Sequence, residues 1–141
     1  MAVKAKKKAG SDADAGGRVV LLVENDEGAS FDRTGTVLRG GGHQVVHLTA
    51  FTAALDLLRS PRRIDLLVAA TRLPRQPSGF TLARQAQRLR PALPVVYVAS
   101  TAADAASPEA ARALGPVLPP GADASVMLSA VQQALAAKPP S

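Results

Sequence analysis

The sequence predicts an open α/β sandwich, a single domain of five β–α pairs around a parallel sheet with helices on both faces. Three observations carry this. Val-rich runs alternate with helix-periodic stretches along the chain. The strong runs are apolar at consecutive positions, as expected of strands covered on both sides. Gly and Pro punctuate the changeovers.

Taken in order, Val19–Val23 is the first strand-like run, Val45-Val46 opens a shorter second, Asp65–Ala70 is the third and Pro94–Ala99 the fourth. Val117-Leu118, between prolines, is a short fifth. Helical stripes fill the gaps. Phe31, Thr34, Val37 and Leu38 precede Gly40-Gly41-Gly42, though Gly28, Thr34, Gly35 and Thr36 weaken that helix. Ala54, Leu55 and Leu58 precede Pro61, and Phe80, Ala83, Ala86 and Leu89 precede Pro91. Ser107-Pro108-Glu109 reads as a helix cap with Pro at the first helical position, and Gly115 ends the stripe that follows. Val126, Leu128, Val131 and Leu135 make the last stripe.

The chain has 141 residues, 47% of them apolar, enough for a sizeable core. With no cysteine, disulfides, thiolate zinc sites and cysteine nucleophiles are excluded. Two histidines, His43 and His47, are too few for a His-rich metal site, and 3% aromatics argue against base-stacking platforms. No apolar run approaches the roughly 20 residues of a membrane span, and none follows the N-terminal lysines as in a secretory signal. The cytoplasm is the expected compartment, with no membrane partner.

Net charge is +6, unevenly placed. Lys4, Lys6, Lys7 and Lys8 crowd the start, and Lys138 is the only other lysine. Between Arg18 and Ala137, twelve arginines face nine acids. Residues 1–17 lack periodicity and end in Ala15-Gly16-Gly17, so they read as a disordered Lys-rich tail; 18–137 is the folded domain and 138–141 a short C-terminal tail. The lysine run is either an arm for nucleic acid or an acidic partner, or a solvated leader. The absence of an aromatic or Gly-Arg pattern favours the leader.

Ligands of such folds sit at the carboxyl ends of the strands. The residues there are Glu24-Asn25-Asp26, Ala70-Thr71, Ala99-Ser100-Thr101 and Pro119-Pro120.

Several patterns in order around these positions resemble the receiver domain of two-component response regulators, over essentially Arg18 to Ala137. They are Val20-Leu21-Leu22-Val23-Glu24-Asn25-Asp26-Glu27, Gly42-His43-Gln44-Val45-Val46 and Ala54–Leu58. Further along come Ile64–Val68 with Leu73-Pro74 and Gly79-Phe80, then Leu93–Val98, then Ala113-Leu114-Gly115 with the closing helix. The resemblance implies a flavodoxin-like fold with strand order 2-1-3-4-5. It also implies a bacterial signalling setting, with a histidine kinase, a regulator or a second copy of the chain as partner.

A receiver's third strand ends in an aspartate that takes a phosphoryl group. Two acids after the first strand help it hold Mg²⁺. A Thr or Ser ends the fourth strand, a Lys ends the fifth, and an aromatic residue on the fifth strand moves inward. Counted from Asp65 and back from Leu73-Pro74, the phosphoacceptor position is Ala70. The acidic pair maps to Glu24 and Asn25, or to Asn25 and Asp26 if the turn is shifted by one. The Thr position maps to Ala99, the Lys position to Pro119, and the aromatic lies near Pro116. The resemblance therefore implies a pseudo-receiver: not an enzyme, no catalytic residue, Mg²⁺ binding weak or absent with Glu24 as a poor candidate ligand, and action through protein contacts; the alternative is a functional phosphorelay receiver with an unconventional site.

Substitutes for the lost groups do not suggest themselves. Thr71 should face away from Ala70, because consecutive strand residues alternate. Asp65 lies at the wrong end of its strand, and Ser100 and Thr101 lack an activating base. Gly40-Gly41-Gly42 lacks the Lys of a P-loop and reads as a helix end. His43 and His47 read as structural. Arg59-Ser60-Pro61-Arg62-Arg63 reads as a solvated loop opposite the crevice, and Arg84, Arg88 and Arg90 as a basic edge for an acidic partner. The region from Ala105 to Ala113 with Asp123 to Ala136, rich in alanine, is the expected protein-contact or homodimer surface.

Overall fold

The computed structural model describes residues 18–24, 29–73 and 75–136, with side chains of the first helix described from residue 33. The tails read from the sequence, and Asn25, Asp26 and Phe31 as side chains, lie outside the described residues.

Five strands form one parallel sheet in the order β2-β1-β3-β4-β5. They are β1 Val19–Val23, β2 Gln44–Leu48, β3 Leu66–Ala70, β4 Val95–Val98 and β5 Val117–Leu118. The helices are α1 Ala29–Gly40, α2 Phe51–Arg59, α3 Gly79–Leu89, α4 Ala102–Ala105, α5 Pro108–Ala111 and α6 Ala124–Ala136. This is the flavodoxin-like order.

The consecutive apolar runs are explained by the two cores. Leu21, Val23, Leu67, Ala69, Val95 and Tyr97 face α2 and α3, with Phe51, Leu55, Leu58, Phe80 and Ala83 packed on them. The alternate residues Val20, Leu22, Leu66, Val68, Val96 and Val98 face the other way, onto Leu38 of α1 and Met127 and Val131 of α6. Every residue of β1, β3 and β4 is buried, so neither face tolerates a polar alternation. Edge strand β2 is only half-buried.

Helix ends follow local chemistry. At the end of α1, Gly41 N donates to Val37 O and His43 N to Leu38 O, while Gly42 takes φ 89°, a left-handed value that glycine adopts at no steric cost. The glycine triplet is therefore a helix terminus. Ser78 and Ser107 cap α3 and α5 by accepting from Thr81 N and Ala110 N.

Two readings of the elements are corrected. The fourth crossover is not one helix but two single turns, α4 and α5, because Ser107-Pro108 restarts the helix and Pro has no N–H to continue the ladder. In α6 the buried residues are Met127 and Val131, while Val126 is 47% exposed. Ser125, Ser129, Gln132 and Gln133 share one side of α6, and the opposite face, which holds Met127 and Val131, turns to the sheet.

Candidate functional site

The crevice at the carboxyl ends of the strands is assembled by strand register. Val23 pairs with Ala69, and Ala70 with Val98, so Ala70, the last residue of β3, comes beside Glu24, and Ala99 beside Thr71. Ala70 and Ala99 are 3% and 2% exposed and bring only methyl groups. Ala99 N donates to Leu118 O at 2.8 Å, fixing the end of β4 beside β5. Pro119 follows β5, is exposed, and its carbonyl accepts from Ala122 N. Pro116 precedes β5 and its carbonyl accepts from Tyr97 N. Gly79 opens α3 so close to Ala70 that a Cβ there would collide with the Ala70 carbonyl. The residue at that helix start has to be glycine for α3 to approach β3.

Glu24 is buried at the end of β1, and its Oε2 accepts from Thr34 Oγ1 of α1 at 3.4 Å. Asp65 sits at the opposite, amino end of β3, where it accepts from Val19 N at 2.8 Å and pairs with Arg63 at 3.0 Å. His47 lies within β2 and His43 just before it. Burial, with Arg18 adding to it, lowers the His43 pKa below its ordinary value.

Thr71 does not behave as strand alternation suggests. It stands one residue past β3, is 2% exposed, and joins the crevice wall. Its Oγ1 accepts from Ser100 N at 3.0 Å and donates to Asp104 Oδ2 at 3.1 Å. Arg72 grips the same carboxylate with Nε at 2.8 Å and a terminal nitrogen at 3.2 Å, while its backbone N donates to Ser100 Oγ at 3.3 Å. Asp104 N in turn donates to Thr101 Oγ1. This network ties the loop after β3 to the loop after β4.

Its chemistry is that of a clasp. The Arg72 guanidinium bonded to Asp104 holds that carboxyl below the usual carboxylate range, and the Thr71 hydroxyl adds to the effect. A carboxylate so stabilised is a poor base, and Thr71 is closed to solvent, so the pair is not set up as a nucleophile and its activator. Ala70, Ala99 and Pro119 offer no side-chain oxygen, and among the described residues no three His, Cys, Asp or Glu side chains converge.

Arg72 and Asp104 escaped the sequence reading. They are 32 residues apart, and neither stands at a position where the receiver pattern places function. The available signal was the helix-start pattern Thr101-Ala102-Ala103-Asp104, a cap with an acid in the first turn.

No family model matches the chain, and no curated protein matches it. Solved structures do. A response regulator receiver protein from Sinorhizobium medicae WSM419 superposes with TM-score 0.73 at 25% identity, over 87% of this chain and 98% of that one. A CheY-like receiver domain protein from Methanospirillum hungatei JF-1 gives 0.71 at 18% identity, over 86% and 96%. NtrX from Brucella abortus, solved in complex with ADP, gives 0.74 at 20% identity, over 86% of this chain but 28% of that longer one. Strand order, element succession and these superpositions together show that the chain has the fold of the response-regulator receiver domains.

Proposed function

We propose that the chain is a signalling domain of the two-component type that works without accepting a phosphoryl group, by docking another signalling protein. The observation that carries this reading is Ala70, a buried methyl group at the end of the third strand of a receiver fold. Phosphoryl transfer to a receiver needs a nucleophile at that point, and a methyl group has no lone pair to attack phosphorus. The neighbouring groups support the reading. Ala99 and Pro119 bring neither hydroxyl nor ammonium to balance phosphoryl charge. The Arg72–Asp104 clasp links the two loops that a phosphoryl group would otherwise bring together.

The docking surface is the one formed by α4, α5, β5 and α6. It carries two of the three large apolar side chains exposed among the described residues, Leu114 at 43% and Val126 at 47%. The partner is a kinase, a regulator or a second copy. The test is intact mass after incubation with acetyl phosphate and Mg²⁺. An unchanged mass is expected, and an adduct of one phosphoryl group overturns the reading.

A further inference from the structure

The parallel fold gathers arginines at one end of the molecule. Strands of one parallel sheet all start at the same edge, and each helix runs back to that edge. Residues just before strands and in the last turns of helices therefore meet. Arg18 precedes β1, Arg62 and Arg63 lead into β3, and Arg39, Arg59 and Arg88 lie in the last turns of α1, α2 and α3. A cation in a last turn is favoured by the helix carbonyl end, which accounts for each helix arginine singly; the topology accounts for their assembly.

Hydrogen bonds weld this end together. Gln44 N donates to Arg18 O and Asp65 N to Val19 O, joining the starts of β1, β2 and β3. Arg90 donates to Leu58 O at 3.0 Å and Ser60 O at 2.7 Å, joining the ends of α2 and α3. Arg90 is thus drawn inward and is not part of a free basic edge. The acids nearby are Asp56, paired with Arg59, and Asp65, paired with Arg63. Arg18, Arg39, Arg62 and Arg88 are exposed and enter no ion pair among the described residues.

We propose that this pole binds nucleic acid by its phosphate backbone, without reading bases. Three adjacent strands span about 10 Å, and a helix of about 10 Å diameter flanks them on each side, so the surface covers several phosphates of a duplex. Every cation in 18–136 is arginine, whose planar fork matches phosphate oxygens. Phe51, Phe80 and Tyr97 are buried, so no described aromatic is free to stack on bases. A lipid surface calls for apolar anchors among the charges. Among the described residues, α1, α2 and α3 expose one large apolar side chain, Leu89 at 39%.

The experiment is fluorescence anisotropy of a short labelled DNA duplex with the full chain, across a salt series. Binding that weakens steeply with salt is expected. In Arg62→Gln/Arg88→Gln the slope of log affinity against log salt should fall by about 0.9 per arginine. An Arg75→Gln control removes a charge at the carboxyl end of the sheet and should keep the parent slope. Circular dichroism melts show that each variant is folded. No binding at low salt overturns the proposal. So does a pole variant that matches the parent while Lys4, Lys6, Lys7 and Lys8→Gln abolishes binding, since the tail then acts alone. Tighter binding to phosphatidylserine vesicles or to polyglutamate than to the duplex overturns it as well.

Discussion

At Ala70 a methyl group sits where one more carboxylate would complete the beginnings of a cation site. The register Val23 to Ala69 places Glu24 beside Ala70 across the ladder, about 5 Å away in the backbone. In Ala70→Asp the two carboxylates repel, and one pKa rises unless a cation lies between them. Mg²⁺ or Mn²⁺ should therefore raise the melting temperature of Ala70→Asp, and more so of Ala70→Asp/Asn25→Asp, but not of the parent. An equal rise in the parent would show that the crevice is misassigned. Asp104 offers a pH test. The bonded Arg72 guanidinium holds its folded pKa below the usual carboxylate range, so the carboxylate form is favoured by folding. That contribution is complete well above pH 4 and is lost as pH falls through the folded pKa. Asp104→Asn should melt below the parent at pH 7, and the gap should close as pH drops below about 4. A gap that does not narrow as pH falls below about 4 would count against the Arg72 clasp as its source.

Among the elements, the junction of β3 with α3 is the tightest. The sequence pattern places a glycine there, and the packing shows why: α3 starts against the Ala70 carbonyl. Gly79→Ala should cost about 1–3 kcal/mol, the usual penalty of overpacking, because the obstacle is backbone and cannot swing aside. A chemical-denaturation midpoint equal to the parent's would show that α3 can shift outward. The α4–α5 pair is the opposite case. Each is four residues long, with no buried residue, and is held by its caps Thr101 and Ser107. Such single turns draw little on the core, which leaves the clasp at Asp104 as the anchor of α4.

For the molecule as a whole, charge is distributed by topology. Arginines that entered the sequence as separate helix ends and strand approaches end up facing each other at one pole. Self-repulsion there opposes folding and is screened by salt, with a Debye length of about 10 Å at 0.1 M. Arg62→Gln/Arg88→Gln should therefore melt above the parent at low ionic strength, with the difference shrinking as salt is added. A difference independent of salt would point to lost packing or hydrogen bonding.

The strands and the fold class were legible in the sequence, because each rests on short-range pattern. Consecutive apolar runs mark strands buried on both faces, Gly40-Gly41-Gly42 and Ser107-Pro108 punctuate helices, and Ala70 follows from its offset to Asp65 and Leu73. Three things only the tertiary structure decided. Thr71 meets Asp104, 33 residues away, because β3 and β4 are neighbours and their loops leave the sheet together. Arg90 bonds Leu58 O and Ser60 O because α2 and α3 end side by side. Arg18, Arg62 and Arg88 share one end because parallel strands begin at one edge and their helices end there. Periodicity encodes which side of an element is buried; which elements become neighbours is set by strand order and register, and those are properties of the folded chain.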